Sequence, residues 1–176
     1  ATPIGESLEV FQELIQAGKI RAAGASNYDN AQLAEALAAG KGQAAYTVFQ
    51  PHYNLAWRNE YEGACEDMCV KHNLGVITYF SLASGFLTGK YRKQEDLEGR
   101  ARGGLASAFF NERGLNLLAA LDTVAARHGA TQAQVALAWL MARPSVTAPI
   151  ASATNLTQSK TYAEGEPPAP SLLTSV

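Results

Sequence analysis

The chain has 176 residues, of which 47% are hydrophobic, 17% charged and 9% aromatic. This is enough apolar material for the core of one domain, and composition therefore excludes intrinsic disorder. A net charge of -2 argues against a nucleic-acid or anionic-membrane surface, and no run approaches the roughly 18 uninterrupted apolar residues of a membrane helix.

The N-terminus, ATPIGESLEV, has neither a basic n-region nor an apolar h-region, so no secretory signal is visible and a cytoplasmic location is expected. Ala1 in place of an initiator Met points to processing or an altered start. A first helix is predicted from Thr2-Pro3, with Thr2 as N-cap, an apolar stripe of Leu8, Phe11, Leu14 and Ile15, and a stop at Gly18. A strand follows at Ile20–Ala25, and Asp29 caps a helix that stops at Gly40. The second strand, Tyr46–Gln50, is closed by Pro51. A helix from about Asn59 to His72 then carries Cys65 and Cys69 on one face. With only His72 near them, they read as half-buried thiols of a reducing compartment and not as metal ligands. The third strand is Val76–Tyr79.

Phe80 to about Phe110 breaks the rhythm: it is rich in Gly and charge, has no sustained period, and reads as one long functional or irregular connection. A helix from Glu112 to His128 ends at Gly129, and the capping box Thr131-Gln132-Ala133-Gln134 opens another that stops before Pro144. Thr147–Ile150 is the fourth strand, Thr154 or Asn155 opens a last short helix, and the Pro-rich tail from residue 164 is irregular. Short, nearly all-apolar strands joined by helical crossovers define a parallel sheet in an α/β protein. There is no GxGxxG after a strand, no Walker A motif, no GxSxG and no HExxH. Polar residues instead gather where strands end: Ser26-Asn27, Gln50-His52-Asn54, Tyr79-Ser81 and Ser152-Thr154-Asn155. In barrels of this class ligands bind at those ends.

Several of these strand ends form longer motifs. Gly24-Ala25-Ser26-Asn27, Gln50-Pro51-His52-Tyr53-Asn54-Leu55, the run Ser81 to Tyr91 (SLASGFLTGKY), Ala136 to Leu140 and Pro149 to Thr154 together resemble the aldo-keto reductases. The likeness covers about residues 1–163, in the family's order and spacing. It implies half of a (β/α)8 TIM barrel, with four parallel strands and flanking helices corresponding to the family's fifth to eighth strands. A whole barrel takes about 250 residues. It also implies an NADP-dependent oxidoreductase family, but the family's tetrad of Asp, Tyr, Lys and His lies on the first four strands and has no counterpart here. No catalytic residue is therefore assigned.

The cofactor half carries over residue by residue. By resemblance, Ser26 and Asn27 bond the nicotinamide carboxamide with Gln50 beside them, and Tyr79 stacks on the nicotinamide. Ser81, Leu82, Ser84, Gly85 and Leu87 form the loop over the pyrophosphate, and Lys90 lies in the segment that folds over the cofactor. Ser152, Ala153, Thr154 and Gln158 hold the adenosine 2'-phosphate. Some positions depart from the family: Thr154 and Asn155 stand where Arg or Lys is common, and Thr161-Tyr162 replaces a Glu-Asn pair. Gly5 sits where a Glu commonly completes a capping box, and the tail is unlike the family's. These departures imply a weak or vestigial NADP site with little selectivity over NAD, and they look like marks of a truncated or frame-altered copy.

His52 tempts as a proton donor but reads as a member of the Gln-Pro-His-Tyr-Asn turn. Tyr53 and Tyr79 have no Lys obviously near to activate them. His72 and His128 compensate helix dipoles. The basic run Lys90 to Lys93 is balanced by Glu95, Asp96 and Glu98, and Phe109-Phe110 anchors the helix that follows. Four strands with two unpaired edges imply a homodimer that covers the open face. The alternative is a non-catalytic half-barrel, or one with a new activity at its strand ends.

Overall fold

The computed structural model describes residues 2–40 and 44–163. The predicted irregular tail lies outside them. The chain divides into two compact units, Ala1–Pro51 with Asn59–Ile77, and His52–Arg58 with Thr78–Val176.

The first unit begins with α1 (Ile4–Gln16). Its start differs from expectation: Pro3, not Thr2, is the N-cap, and no side chain caps the helix. The Pro3 ring fixes an extended entry, and Ser7 N donates the first turn's bond to Pro3 O at 3.4 Å. Glu6, not Gly5, then occupies the third helical position. Leu8, of the predicted stripe, is fully buried. The strand after it is shorter and later than predicted: β1 is Ala23–Ser26. Helix α2 (Asn30–Ala39) begins at the predicted Asp29, whose carboxylate accepts from Gln32 N at 2.8 Å while Gln32 Oε1 accepts from Asp29 N. Such a box satisfies two orphan donors and contributes about 1 kcal/mol. Strand β2 (Tyr46–Gln50) has the predicted bounds. Helix α3 is Ala64–Lys71, because Gly63 turns in at φ 89° and residues before it form turns. His72 caps its C-terminus, and Cys65 and Cys69 are buried and free. Contact between the two thiols, together with burial, pushes the Cys69 thiol up. Leu33, Phe49, Cys69 and Val76 complete this core.

Strands β1 and β2 pair in parallel, with Ser26 opposite Gln50, and β2 pairs in parallel with β3 (Gly75–Thr78). The last residue of β3, Thr78, accepts from Ile150 N at 3.1 Å just past β4 (Ala148–Pro149), which gives the strand order β1-β2-β3-β4.

In the second unit, the stretch from Phe80 to Phe110 is not irregular. It holds 3-10 turns at Ala83–Thr88 and Gln94–Leu97 and a short helix, α4 (Gly103–Ser107). Phe86, fully buried, packs against Phe109 at 5.7 Å and Phe110 at 5.3 Å, so the predicted anchor is real. Each such buried ring or Leu stabilises by roughly 1.5–3 kcal/mol. Helix α5 (Glu112–His128) has its predicted bounds, with Asn111 Oδ1 accepting from Gly114 N. Helix α6 (Gln132–Met141) begins at the predicted Thr131 box. Helix α7 is Leu156–Ala163. Phe86, Leu87, Leu118, Leu121, Val135 and Leu140 form the second core.

Candidate functional site

In the first unit, the C-terminal ends of β1 and β2 bring Ser26 and Gln50 side by side, as predicted. Ser26 Oγ donates to Gln50 O at 2.8 Å, and Asn27 turns the chain out of β1 at φ 59°. Ser26's hydroxyl proton is therefore committed to the backbone.

The second unit encloses a cavity of about 640 Å³ beyond the ends of β3 and β4. Tyr79, Ser81, Leu82, Ser84 and Gly85 line one part of it, and Ser152, Thr154 and Gln158 another. Lys90 also lines it. Of the predicted residues in this unit, Ala153 and Leu87 do not line it. Leu87 has no exposed surface and belongs to the core.

The loop from Phe80 to Gly85 is bent by four residues in the left-handed region: Phe80 at φ 51°, Ala83 at 48°, Ser84 at 58° and Gly85 at 95°. Side-chain-bearing residues there cost of order 1–3 kcal/mol each, a strain that concentrates at ligand sites. Ser81, 1% exposed, donates from Oγ to Thr78 O at 3.0 Å and thereby ties the loop to the end of β3. At Gly85 the positive φ is joined by a packing demand: a Cβ there would meet Lys90 Nζ and Cε at 3.0 Å. The bare glycine leaves room for the ammonium, which also sits 4.8 Å from the centre of the Tyr91 ring.

The cavity's charge is one-sided. Lys90, Arg100 and Arg102 line it, and no carboxylate does so among the described lining residues. Tyr162, which the resemblance sets where the family has a Glu-Asn pair, also lines the cavity, whereas sequence reasoning missed Arg100 and Arg102. The only available signal was the short basic run between Gly99 and Gly103. Burial pushes the Tyr162 phenol up, which is the wrong direction for an activated proton donor. The turn before α7 is closed on itself: Gln158 Oε1 accepts from Thr154 N at 2.8 Å and from Thr154 Oγ1 at 2.9 Å, while Asn155 Oδ1 accepts from Gln158 N at 2.9 Å. Arg92, two residues beyond Lys90 in the basic run, is not among the lining residues and pairs bidentately with Asp122 at 2.7 and 2.8 Å. Among the described residues no cluster of three or more His, Cys, Asp or Glu could hold a metal, and no helix is long and apolar enough to cross a membrane.

Past the ends of β3 and β4, in a parallel α/β fold, lies a cavity lined by three cations and by no carboxylate among the described lining residues. The family model described as "Aldo/keto reductase family" matches residues 1–164, and the chain belongs to that family. Four parallel strands with intervening helices are what part of that family's (β/α) barrel provides. The chain is 31% identical over 167 residues to a "Probable voltage-gated potassium channel subunit beta" of Arabidopsis thaliana, covering 90% of this chain and 50% of that protein. It is 30% identical over 166 residues to the L-glyceraldehyde 3-phosphate reductase of Escherichia coli K12, covering 89% and 47%. With the aldo-keto reductase YhdN of Bacillus subtilis it shares 32% over 146 residues, covering 81% and 43%. The chain thus spans about half the length, or less, of these curated relatives.

Proposed function

We propose that the second unit binds a nicotinamide adenine dinucleotide, and that this chain by itself does not reduce carbonyls. The observation that carries the binding is the cavity: three cations, no carboxylate among the described lining residues, a flat Tyr79 ring and a strained small-residue loop. That donor set fits a ligand with one planar heterocycle and several phosphates. In this reading Tyr79 supports the nicotinamide ring. The Ser81–Gly85 loop lies along the pyrophosphate, and Lys90 with Arg100 neutralises it. The adenosine end lies toward Ser152 and Gln158.

Thr154 and its turn are already bonded to Gln158 and Asn155, so they offer a 2'-phosphate neither charge nor a free hydroxyl proton. Discrimination between NADPH and NADH is therefore under about tenfold. A full 2'-phosphate partner would supply roughly 1.5–3 kcal/mol. The bound nicotinamide supplies a hydride, and carbonyl reduction then needs a proton donor at the carbonyl oxygen. Tyr162 is shifted away from that task, and the family's tetrad has no counterpart among these residues.

Calorimetric titration tests the reading. Both nucleotides should bind wild type with similar affinity, and Lys90→Ala and Arg100→Ala should each weaken binding about tenfold and flatten its salt dependence. Absence of nucleotide binding, or indifference to both substitutions, would count against it.

A further inference from the structure

One feature of the second unit has no part in the cavity's charge: the rings of His52, Trp57 and Phe80 cluster with Tyr79, and of these three only Phe80 also lines the cavity. His52 stacks on Tyr79 with centroids 5.3 Å apart and planes 23° apart, and on Trp57 at 5.1 Å and 9°. Phe80 meets both His52 and Tyr79 edge-on, at 5.3 and 5.2 Å. The backbones of His52 and Tyr79 are also joined by a parallel bridge. Trp57 and Phe80 nevertheless remain 39% and 38% exposed, so burial of apolar surface accounts for only part of the arrangement.

Asn54, with no exposed surface, organises the cluster. Its Oδ1 accepts from Ala56 N at 2.9 Å and Trp57 N at 3.0 Å, which fixes the orientation of the amide. Its Nδ2 then donates to Phe80 O at 2.9 Å and faces His52 Nε2 at 3.3 Å. The first bond holds Phe80 in its left-handed conformation. The second makes Nε2 an acceptor and assigns the imidazole proton to Nδ1. The ring plane of His52 is thus held by hydrogen bonding as well as by stacking, and Tyr79, which lines the cavity, rests on a ring whose orientation is set.

We infer that His52 is a positioning residue that, stacked on Tyr79 and Trp57, holds the Tyr79 ring as the platform for the planar nicotinamide end of the ligand. This rests on the dinucleotide reading. His52 does not line the cavity and touches no reacting atom. It acts only through Tyr79, so its loss should be felt by the nicotinamide end of the ligand and not by the adenosine end. Packing alone would spread the loss over the whole cavity.

The test is calorimetry of the full chain with two probes, NADP+ and adenosine 2',5'-bisphosphate, which lacks the nicotinamide. His52→Ala should weaken NADP+ about three- to tenfold, the worth of one aromatic pair, and leave the bisphosphate within about twofold of wild type. His52→Phe, which keeps a flat ring at the position, should restore NADP+ binding to within about twofold. Equal weakening of both probes by His52→Ala, or no weakening of NADP+, overturns the inference while leaving the dinucleotide reading intact. A wild-type chain that binds neither probe overturns both.

Discussion

Replacing Asn54 by Ala removes the side chain on which the turn behind the cavity is built. Four groups lose a bond: Ala56 N, Trp57 N, Phe80 O and His52 Nε2. Two of them keep another partner, since Trp57 N also donates to Asn54 O at 3.0 Å and Phe80 O also accepts from Ala83 N at 2.7 Å. The cost is therefore less than four full bonds. At about 1 kcal/mol for each of the two shorter, better-placed bonds, with a further contribution from the void at a fully buried site, the loss comes to about 2–4 kcal/mol. That is a large fraction of the 5–15 kcal/mol that holds a typical domain together. Asn54→Asp should cost more at neutral pH, because it sets a charged oxygen against Phe80 O in a buried site. Urea unfolding followed by tryptophan fluorescence reads this directly, since Trp57 and Trp139 both lie in the second unit. A loss below about 1 kcal/mol for Asn54→Ala, or an Asn54→Asp variant as stable as wild type, would refute the reasoning.

Gly89→Ala should destabilise by about 2–4 kcal/mol in the same assay, because φ is 72° and a Cβ there would collide with Gln132 Oε1 and the Arg92 guanidinium. The Arg92 guanidinium holds the Asp122 carboxyl below the usual carboxylate range, with a smaller contribution from Gln132. A depressed carboxyl contributes stability above its unfolded pKa and loses it as the pH falls through the folded value. Wild type should accordingly lose stability below about pH 4, and Arg92→Ala should flatten that part of the profile. Because both side chains are about half exposed, the difference should stay within about 1 kcal/mol, and a larger one read by pH-dependent urea unfolding would contradict the assignment. Light scattering should find a dimer at twice 18.7 kDa, since β1 and β4 end the strand order and Ile150 beside β4 is 45% exposed. A monomer at high concentration would contradict it.

Elements with a complete local signal were readable from the residues alone. Tyr46–Gln50 is a β-rich run closed by Pro51, Asp29 is an N-cap, Thr131 begins a capping box, and Glu112–His128 ends at Gly129. Boundaries went astray where local signals competed. Thr2 is a better cap than Pro3 on propensity, yet the rigid Pro3 entry takes the position. The secondary structure of the stretch from Phe80 to Phe110 was illegible for a different reason, although its Ser81–Tyr91 motif and its Phe109-Phe110 anchor were read. Its short turns have no period to detect, and they are held by distant partners such as Phe86 on Phe109 and Phe110. The candidate site divides in the same way. The Ser81–Gly85 loop and the Ser152–Gln158 turn could be placed from their motifs. Arg100 and Arg102 reach the cavity only because those turns fold, so the short basic run between Gly99 and Gly103 did not show that they line it. His52 was read as a turn residue, and its stacking on Trp57 and Tyr79 depends on the conformation of Asn54, which composition does not reveal.

The most direct test of the central claim is backbone hydrogen exchange of the full chain with and without NADPH. Binding in the second unit's cavity predicts added protection in the segments 80–91 and 152–158, which carry the strained loop, Lys90 and the Gln158 turn, with little change across α1 and α2. Unchanged exchange in both of those segments at saturating NADPH, or protection confined to other parts of the chain, would contradict it.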